Sequence, residues 1–334
     1  MKSKLRILSL FLSLLLLLSF CSCDLSFLSD LSGLTGGGNS DDTDFTPSPI
    51  TEVVASSFDL CYGDQLSPNE KALYDAAAAL QVGETKFTAV FPEALTVCKN
   101  RAPTQKEQED AKEKMTFWLS NAMFAIWLDM PSLFWIDFGD YSYSCTFQQN
   151  EEGVVGVTEL TVTVSPRVDK NAAASRKAAL DAILSSYTPY GASDADRVRS
   201  INRYLCDTVT YDLNAADRAS AAGALVDGNC VCEGYAHAFQ LLCKAAGIDC
   251  VCILGDATSN GKTEGHMWNA VRIDGVWYYV DATWNDTTGH PTKYLLVGGS
   301  TMGFEGTFDE THVPQSSLGK SKIFALPAVS DTAR

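Results

Sequence analysis

Residues 229–236 of the chain read Asn229-Cys230-Val231-Cys232-Glu233-Gly234-Tyr235-Ala236. A loop that contains two cysteines leads here into a segment with the apolar spacing of an amphipathic helix. Two strand-like stretches follow, and they carry His266 near the start of the first and Asp281 near the end of the second. A thiol, an imidazole and a carboxylate are the three groups that thiol-based acyl transfer uses.

The helical spacing favours Cys232 over its neighbour Cys230 as the reactive thiol. Cys232 starts the helix, where unpaired backbone N–H groups and the helix dipole stabilise a thiolate. On a helical projection, Cys232 lies within about 40° of the apolar face, whereas His237 points about 140° away from it. We therefore predict that His237 is a surface histidine that does not serve Cys232. Cys230 precedes the helix and is expected to be a loop or core cysteine.

A hairpin brings the imidazole and the carboxylate together. The pair Asp274-Gly275 is typical of a two-residue type I′ turn between two strands. With this turn, the register puts His266 opposite Thr283 and makes Asp281 a diagonal neighbour of His266 on one face of the sheet. Their Cβ atoms are then roughly 7–8 Å apart or less, which allows a hydrogen bond between the side chains. A slip of one residue would place the two side chains on opposite faces.

These stretches resemble a known family. Residues 231–236, 265–271 and 277–284 are similar, in order and spacing, to motifs of the transglutaminase-like superfamily. The resemblance implies a papain-like α+β fold, in which a helix carrying the cysteine packs on an antiparallel sheet carrying the histidine and the aspartate. It also implies that Cys232 is the nucleophile, His266 the base and Asp281 the residue that orients the base. Some members of the family use calcium, but the sequence has no acidic loop resembling an EF-hand, so no cofactor or metal ion is expected.

The implied reaction is an attack of the thiolate on an amide carbonyl, which leaves a thioester that an amine or water then resolves. The backbone N–H of Cys232 is one candidate donor to the oxyanion, and a second donor cannot be named. One alternative is a binding module with the same fold, which holds peptide or cell-wall material without turnover. Another is a metal site of Cys230, Cys232 and His237, but cysteines one residue apart lack the usual zinc spacing.

Charge and composition indicate which classes of molecule the protein is expected to bind. The 334-residue chain has a formal net charge of −16, with 46% apolar and 20% charged residues, which is ordinary for a globular protein. An acidic surface repels phosphate backbones, so nucleic acid is not an expected partner. The expected substrate is a protein or peptide, including cell-wall peptide. The acidity is compatible with a preference for basic peptides or amines.

Residues 1–23 have the features of an export signal. A basic start precedes an apolar run over residues 7–20, which is shorter than a membrane span. The run ends in Phe20-Cys21-Ser22-Cys23, which resembles a bacterial lipoprotein box. We therefore predict lipidation of Cys23 and an extracytoplasmic protein anchored to the bacterial cell membrane. An ordinary secretory signal that is cut nearby is the alternative. Residues 24–56, with their glycines, serines and prolines, predict a flexible linker.

The rest of the chain is predicted to form two domains. Residues 57–167 would form a smaller α+β accessory domain, in which capping boxes at Ser67–Glu70 and Thr104–Glu107 each predict the start of a helix. Residues 128–135 are similar to accessory domains that precede such cores in some bacterial surface proteins. Residues 168–334 would form the transglutaminase-like catalytic domain.

Overall fold

A five-stranded sheet with two helices forms the first half of the chain. The structure is a computed structural model that describes residues 21–24, 45–50, 57–300, 310–317 and 321–334. The strands of the first sheet are β1 (Cys21–Asp24), β2 (Lys86–Lys99), β3 (Ile136–Thr146), β4 (Gln148–Gln149) and β5 (Val154–Pro166). They lie in the order β1-β3-β5-β2, and β4 pairs with β5.

The two helices of the first half begin at the predicted capping boxes. They are α1 (Pro68–Ala78) and α2 (Gln105–Asp129). The backbone N–H of Ser67 donates to the carboxylate of Glu70 at 2.8 Å, and that of Thr104 donates to Glu107 at 2.8 Å. A helix start leaves several N–H groups without a partner inside the helix, and a capping box supplies such partners locally.

A second sheet and four helices form the second half within the described residues. The helices are α3 (Lys170–Ser186), α4 (Asp194–Thr208), α5 (Cys232–Ala245) and α6 (Ala282–Thr287). Strands β6 (Thr210–Tyr211) and β7 (Asn229–Cys230) form a short parallel pair ahead of α5. The main strands are β8 (Cys250–Ser259), β9 (Lys262–Ile273), β10 (Val276–Val280), β11 (Leu295–Val297) and β12 (Thr311–Pro314). Their order is β11-β10-β9-β8-β12, with antiparallel neighbours throughout. This arrangement confirms the predicted α+β class.

The β9–β10 hairpin has the predicted turn and register. Asp274 and Gly275 have φ angles of 51° and 81°, as a type I′ turn requires at both central residues. The two strands pair from this turn to Val280, which lies opposite Asn269. The turn therefore sets which residues of β9 and of the segment after β10 come together.

The second strand of the hairpin ends earlier than predicted. β10 stops at Val280, and the side chain of Asp281 accepts the backbone N–H of Trp284 at 3.0 Å as the N-cap of α6. The predicted pairing of His266 with Thr283 is therefore wrong, because Thr283 lies in a helix. An aspartate side chain that bonds a backbone N–H three residues later favours a helix start over a continuing strand.

Both halves share one hydrophobic core. Across the junction, the hydroxyl of Tyr62 donates to the carbonyl of Cys252 on β8 at 3.0 Å. The ammonium group of Lys244, at the end of α5, donates to the carbonyl of Asp129, at the end of α2, at 2.8 Å. The second half therefore packs directly on the first, and the boundary between two domains stays a prediction.

Most of the predicted signal and linker lies outside the described residues. Of residues 1–56, the structure describes only 21–24 and 45–50. Cys23 lies in β1, which runs parallel to β3 and pairs there with Cys145. Lipidation of Cys23 stays a prediction. Within the described ranges, no helix combines the length and the apolar character that a membrane span needs.

Replacement of Gly275 tests the turn that sets the hairpin register. A Cβ at Gly275 would meet no atom within 4 Å, so only its left-handed backbone opposes a side chain. We expect Gly275→Val to lower the free energy of unfolding by about 1–2 kcal/mol, because L-residues are strained in this conformation. Gly275→Asn should lower it by less, since asparagine tolerates positive φ. Urea unfolding of both variants measures the difference, and equal stabilities would contradict the type I′ turn.

Candidate active site

Cys232 lies at the first turn of a helix that is buried on nearly all sides. Residues 234–243 of α5 are buried, whereas Cys232 itself is half-buried. Val231 precedes it as the N-cap, in an extended conformation. The first N–H groups of a helix have no intrahelical partner, and together with the helix dipole they stabilise an anion. The fold therefore presents the thiol where a thiolate is stabilised and still accessible.

Gly234 lets the preceding loop pack under the start of α5. A Cβ at this position would lie 2.8 Å from Sγ of Cys230 and 2.9 Å from the carbonyl oxygen of Arg218. Cys230 has no exposed surface, and burial raises the pKa of its thiol. The interpretation of Cys230 as a core cysteine is therefore confirmed.

The imidazole of His266, on β9, lies between Cys232 and Asp281. Its Nε2 lies 2.8 Å from Oδ2 of Asp281, and because a carboxylate only accepts, Nε2 is the donor. The sulfur of Cys232 is a second hydrogen-bond partner of His266, and as a thiolate it accepts from the imidazole. Since Nε2 faces the carboxylate, Nδ1 is the nitrogen available to Cys232. The structure thus brings the three predicted residues together, and their catalytic roles stay predictions.

Opposing effects act on the pKa values of His266 and Asp281. Burial lowers the pKa of His266, but the carboxylate of Asp281 and the thiolate form of Cys232 outweigh burial and raise this pKa to about 10. Burial raises the pKa of Asp281, but His266 and a second histidine, His312, bring it below its usual value. At neutral pH, His266 is therefore an imidazolium that is paired with a buried carboxylate.

His312, on β12, is a site residue that the sequence did not predict. Its Nε2 lies 2.9 Å from the same Oδ2 of Asp281 that binds His266. The ring is 1% exposed, and its centroid lies 4.4 Å from that of Trp284 and 5.0 Å from that of Trp268. No turn or helical spacing links this short strand to the hairpin. The only signal in the sequence is that the chain has four histidines.

Gly255, on β8, makes room for this arrangement. A Cβ at Gly255 would lie 2.5 Å from the ring of Trp268 and would clash with the carbonyl of Val313 on β12. On the same strand, Ala257 lies opposite His312. These two small residues allow β12 and the aromatic ring to pack closely on β8, which brings His312 to Asp281.

His237 is not at the surface, so that prediction was wrong. Its side chain is 4% exposed and contacts the backbone of Trp127 in α2. Burial lowers the pKa of His237 to about 3, and the cationic Arg167 acts in the same direction. The helical projection directs His237 away from Cys232, as predicted, but that side of α5 is covered by the first half of the chain instead of water.

Glu233, next to the nucleophile, also contacts the first half. Its carboxylate accepts the indole N–H of Trp127 at 2.8 Å and lies 3.6 Å from the guanidinium of Arg167. Burial raises the pKa of Glu233, and Arg167 acts against this rise. The guanidinium of Arg167 also donates to the carbonyl of Ala219 at 2.9 Å. The first half of the chain therefore holds the residue beside Cys232 in place.

The described residues do not bring together the alternative metal site of Cys230, Cys232 and His237. Within these residues, the one group of three His, Cys, Asp or Glu side chains close enough to hold a metal ion is His266, Asp281 and His312, whose nitrogen and oxygen atoms all lie within 4.8 Å of one another. The two hydrogen bonds of 2.8 and 2.9 Å to Asp281 already account for this closeness.

A known protein family matches part of the second half of the chain. Residues 182–282 match the transglutaminase-like superfamily. The matched segment includes Cys232, His266 and Asp281. The second half of the chain thus contains a transglutaminase-like core, and an α+β region precedes it.

Among individual proteins, the chain is similar to kyphoscoliosis peptidase. It is 31% identical to the Mus musculus protein and 30% identical to the Homo sapiens protein, over 157 residues that cover 42% of this chain. The alignment covers 24% of each relative, so the chain spans about a quarter of the length of these proteins. Over 105 residues it is 31% identical to the Lim and transglutaminase domain protein ltd-1 of Caenorhabditis elegans, covering 28% of this chain and 14% of that protein.

Solved structures align over part of the chain. A crystal structure of a TGase aligns with a TM-score of 0.28 and 13% identity, covering 43% of this chain and 51% of the other. The periplasmic domain of TgpA from Pseudomonas aeruginosa aligns with a TM-score of 0.27 and 16% identity, covering 45% of this chain and 64% of the other.

The variant Asp281→Asn tests the electrostatic coupling within the site. The carboxylate is the main group that raises the pKa of His266, and without it the effect of burial dominates. We expect the pKa of His266 to fall from about 10 to below its ordinary value of 6.5. NMR titration of the imidazole signals measures this change. The exposed His290 is the internal control, and its signal should be the same in both proteins. Equal titration of His266 in both proteins would contradict the coupling.

Proposed function

We propose that this chain catalyses thiol-dependent acyl transfer or hydrolysis at amide bonds of proteins or peptides. The observation that carries the proposal is the hydrogen-bonded series of Cys232, His266 and Asp281, with an accessible thiol at a helix start. The match to the transglutaminase-like superfamily supports it, and so does the similarity to a protein named as a peptidase.

In the first half of the proposed reaction, the thiolate of Cys232 attacks the carbonyl carbon of a glutamine side chain or a peptide bond. A C–S bond forms, and the carbonyl oxygen becomes an oxyanion. As the carbonyl re-forms, the C–N bond breaks and Nδ1 of His266 gives its proton to the departing nitrogen. The leaving group is ammonia or an amine, and a thioester remains on Cys232.

In the second half, water or an amine attacks the thioester and gives a proton to Nδ1 of His266. The C–S bond breaks, and the thiolate of Cys232 is restored. Water gives deamidation or peptide hydrolysis, and an amine gives transamidation. The backbone N–H of Cys232, at the start of α5, is the proposed donor to the oxyanion, because it has no acceptor inside the helix.

Asp281 does not exchange a proton in this scheme. Its pKa lies below the usual range because two imidazole groups donate to it, so it stays ionised while His266 gains and loses a proton. The carboxylate therefore orients the imidazole and stabilises its cation. This division of roles requires the hydrogen bond between His266 and Asp281, whose side chains lie 2.8 Å apart.

The variant Cys232→Ala tests the enzymatic proposal. We expect it to lower both amine incorporation and peptide release by at least about 1,000-fold, because the nucleophile forms the covalent intermediate. In the wild type, iodoacetamide should label Cys232 at pH 6 faster than a free thiol, since the imidazolium stabilises the thiolate. Activity assays and mass spectrometry of the labelled peptide measure these effects.

Cys61→Ala is the matched control. This thiol is also half-buried, but burial raises its pKa to about 12, and its neighbours are Asp64 and Asp129 in the first half. The control should keep both activities and the labelling of Cys232. If Cys232→Ala keeps either activity, that activity does not use the proposed thiol. Peptide binding without turnover in the wild type would instead support the non-catalytic binding module.

We also propose that the protein is extracytoplasmic and anchored to the bacterial cell membrane through a lipid on Cys23, with a protein or peptide substrate that includes cell-wall peptide. The apolar run and the lipoprotein-like box at residues 20–23 support this proposal. The acidic net charge of −16 argues against nucleic acid as a partner.

The variants Cys23→Ala and Cys21→Ala form a matched pair for the anchor. Because Cys23 follows a small residue, as cleavage requires, and Cys21 follows the bulky Phe20, only Cys23 should accept a lipid. We expect metabolic labelling with an alkyne fatty acid to be lost in Cys23→Ala and kept in Cys21→Ala, with the first protein released from the membrane fraction. Labelling that persists in Cys23→Ala would contradict the assignment.

A further inference from the structure

The carboxylate of Asp281 receives more hydrogen bonds than a single histidine–carboxylate pair provides. Its Oδ2 accepts from Nε2 of His266 at 2.8 Å and from Nε2 of His312 at 2.9 Å. Its Oδ1 accepts the backbone N–H of Trp284 at 3.0 Å. Asp281 has no exposed surface, so these N–H groups take the place of water around the charge.

The ring of His312 is held in a fixed orientation. It is buried among the rings of Trp284, Trp268 and Tyr294, with centroid distances of 4.4, 5.0 and 5.8 Å. Burial of an imidazole is unfavourable unless its nitrogens are hydrogen-bonded. With these three rings packed around it, the imidazole directs Nε2 at Asp281. The proposed reaction does not use His312 as a nucleophile, acid or base. We therefore expect His312 to act on the reaction through the carboxylate of Asp281.

We propose that His312 is a positioning residue that holds Asp281 ionised and correctly oriented, so that Nδ1 of His266 faces Cys232. The inference rests on the proposed function. Two N–H donors on one oxygen, with a third on the other, oppose rotation of the carboxyl group. A carboxylate with three donors also has little tendency to take the proton of His266. The Nε2 proton then stays on the imidazole of His266, hydrogen-bonded to Asp281, throughout the reaction.

Other titratable groups also lie near this cluster. Cys206, on α4, is one titratable neighbour of Asp281, and burial raises its pKa to about 12, so it is neutral in acid. Tyr294 packs against His312, and burial raises the pKa of this tyrosine to about 12 as well. Glu310 faces His312, and although burial raises the pKa of Glu310, hydrogen bonds from a lysine and a tyrosine lower it overall.

Two substitutions separate the donated hydrogen bond from the packing of the ring. His312→Phe keeps an aromatic ring among its neighbours but has no donor. His312→Gln has a terminal NH₂ group that reaches the position of Nε2 and can donate to Asp281. If the Phe variant does not fold, His312→Asn replaces it, because the shorter amide does not reach Oδ2. Thermal unfolding of each variant establishes which of them are folded.

The readout is the rate at which iodoacetamide labels Cys232 as a function of pH, which requires no substrate. In His312→Phe, the labelling rate at pH 6 should fall at least about 10-fold. The acid limb of the profile, over which the rate rises with pH, should move up by about 1–2 pH units, as expected for loss of a hydrogen bond to a charged group. His312→Gln should restore most of the rate and return the acid limb towards its wild-type position. A purely structural role would not move the acid limb.

Several outcomes would overturn the proposal. An unchanged profile in His312→Phe would do so, and so would equal losses in the Phe and Gln variants. A wild-type labelling rate that changes on treatment with EDTA, and is restored by zinc, would show instead that His266, Asp281 and His312 bind a metal ion.

Amine incorporation and peptide release are measured on the same proteins. If the wild type shows neither activity but the labelling profile still shifts in His312→Phe, the proposed function fails and the positioning role stands. If both activities are present and His312→Phe changes neither them nor the profile, the positioning role fails and the proposed function stands.

Discussion

The buried negative charge of Asp281 is the constraint on which the site depends. A carboxylate without exposed surface is strongly unfavourable unless donors surround it. These donors come from three elements: His266 on β9, His312 on β12 and the backbone at the start of α6. All three elements therefore contribute to stabilising the buried charge, which couples the packing of the sheet to the geometry of the candidate site.

The helix that carries the nucleophile is held at both ends by the first half of the chain. Near its start, Glu233 accepts the indole N–H of Trp127. At its end, Lys244 donates to the carbonyl of Asp129. The Asp129 side chain is itself buried, which raises its pKa to about 6 although backbone N–H groups donate to it. The first half thus packs against α5 near both of its ends, which explains why one side of this helix is not exposed to solvent.

Two predictions failed, and they failed for different reasons. Extending the hairpin register past Val280 predicted a continuing strand, but the side chain of Asp281 caps a helix and ends the strand. For His237, the helical projection predicted a direction relative to Cys232. It could not predict what lies in that direction, because a period of 3.6 residues is the same for a surface helix and for a helix packed on both sides.

The sequence by itself determined the features that depend on a few neighbouring residues. These are the turn at Asp274-Gly275, the capped helix starts and the position of Cys232 at the start of α5. Together they were sufficient to predict that His266 and Asp281 lie on one side of a hairpin. Only the tertiary structure decided that His312 reaches the same carboxylate. That contact depends on the order of strands in the sheet and on the small residues of β8, and both are properties of packing between segments that are distant in the chain.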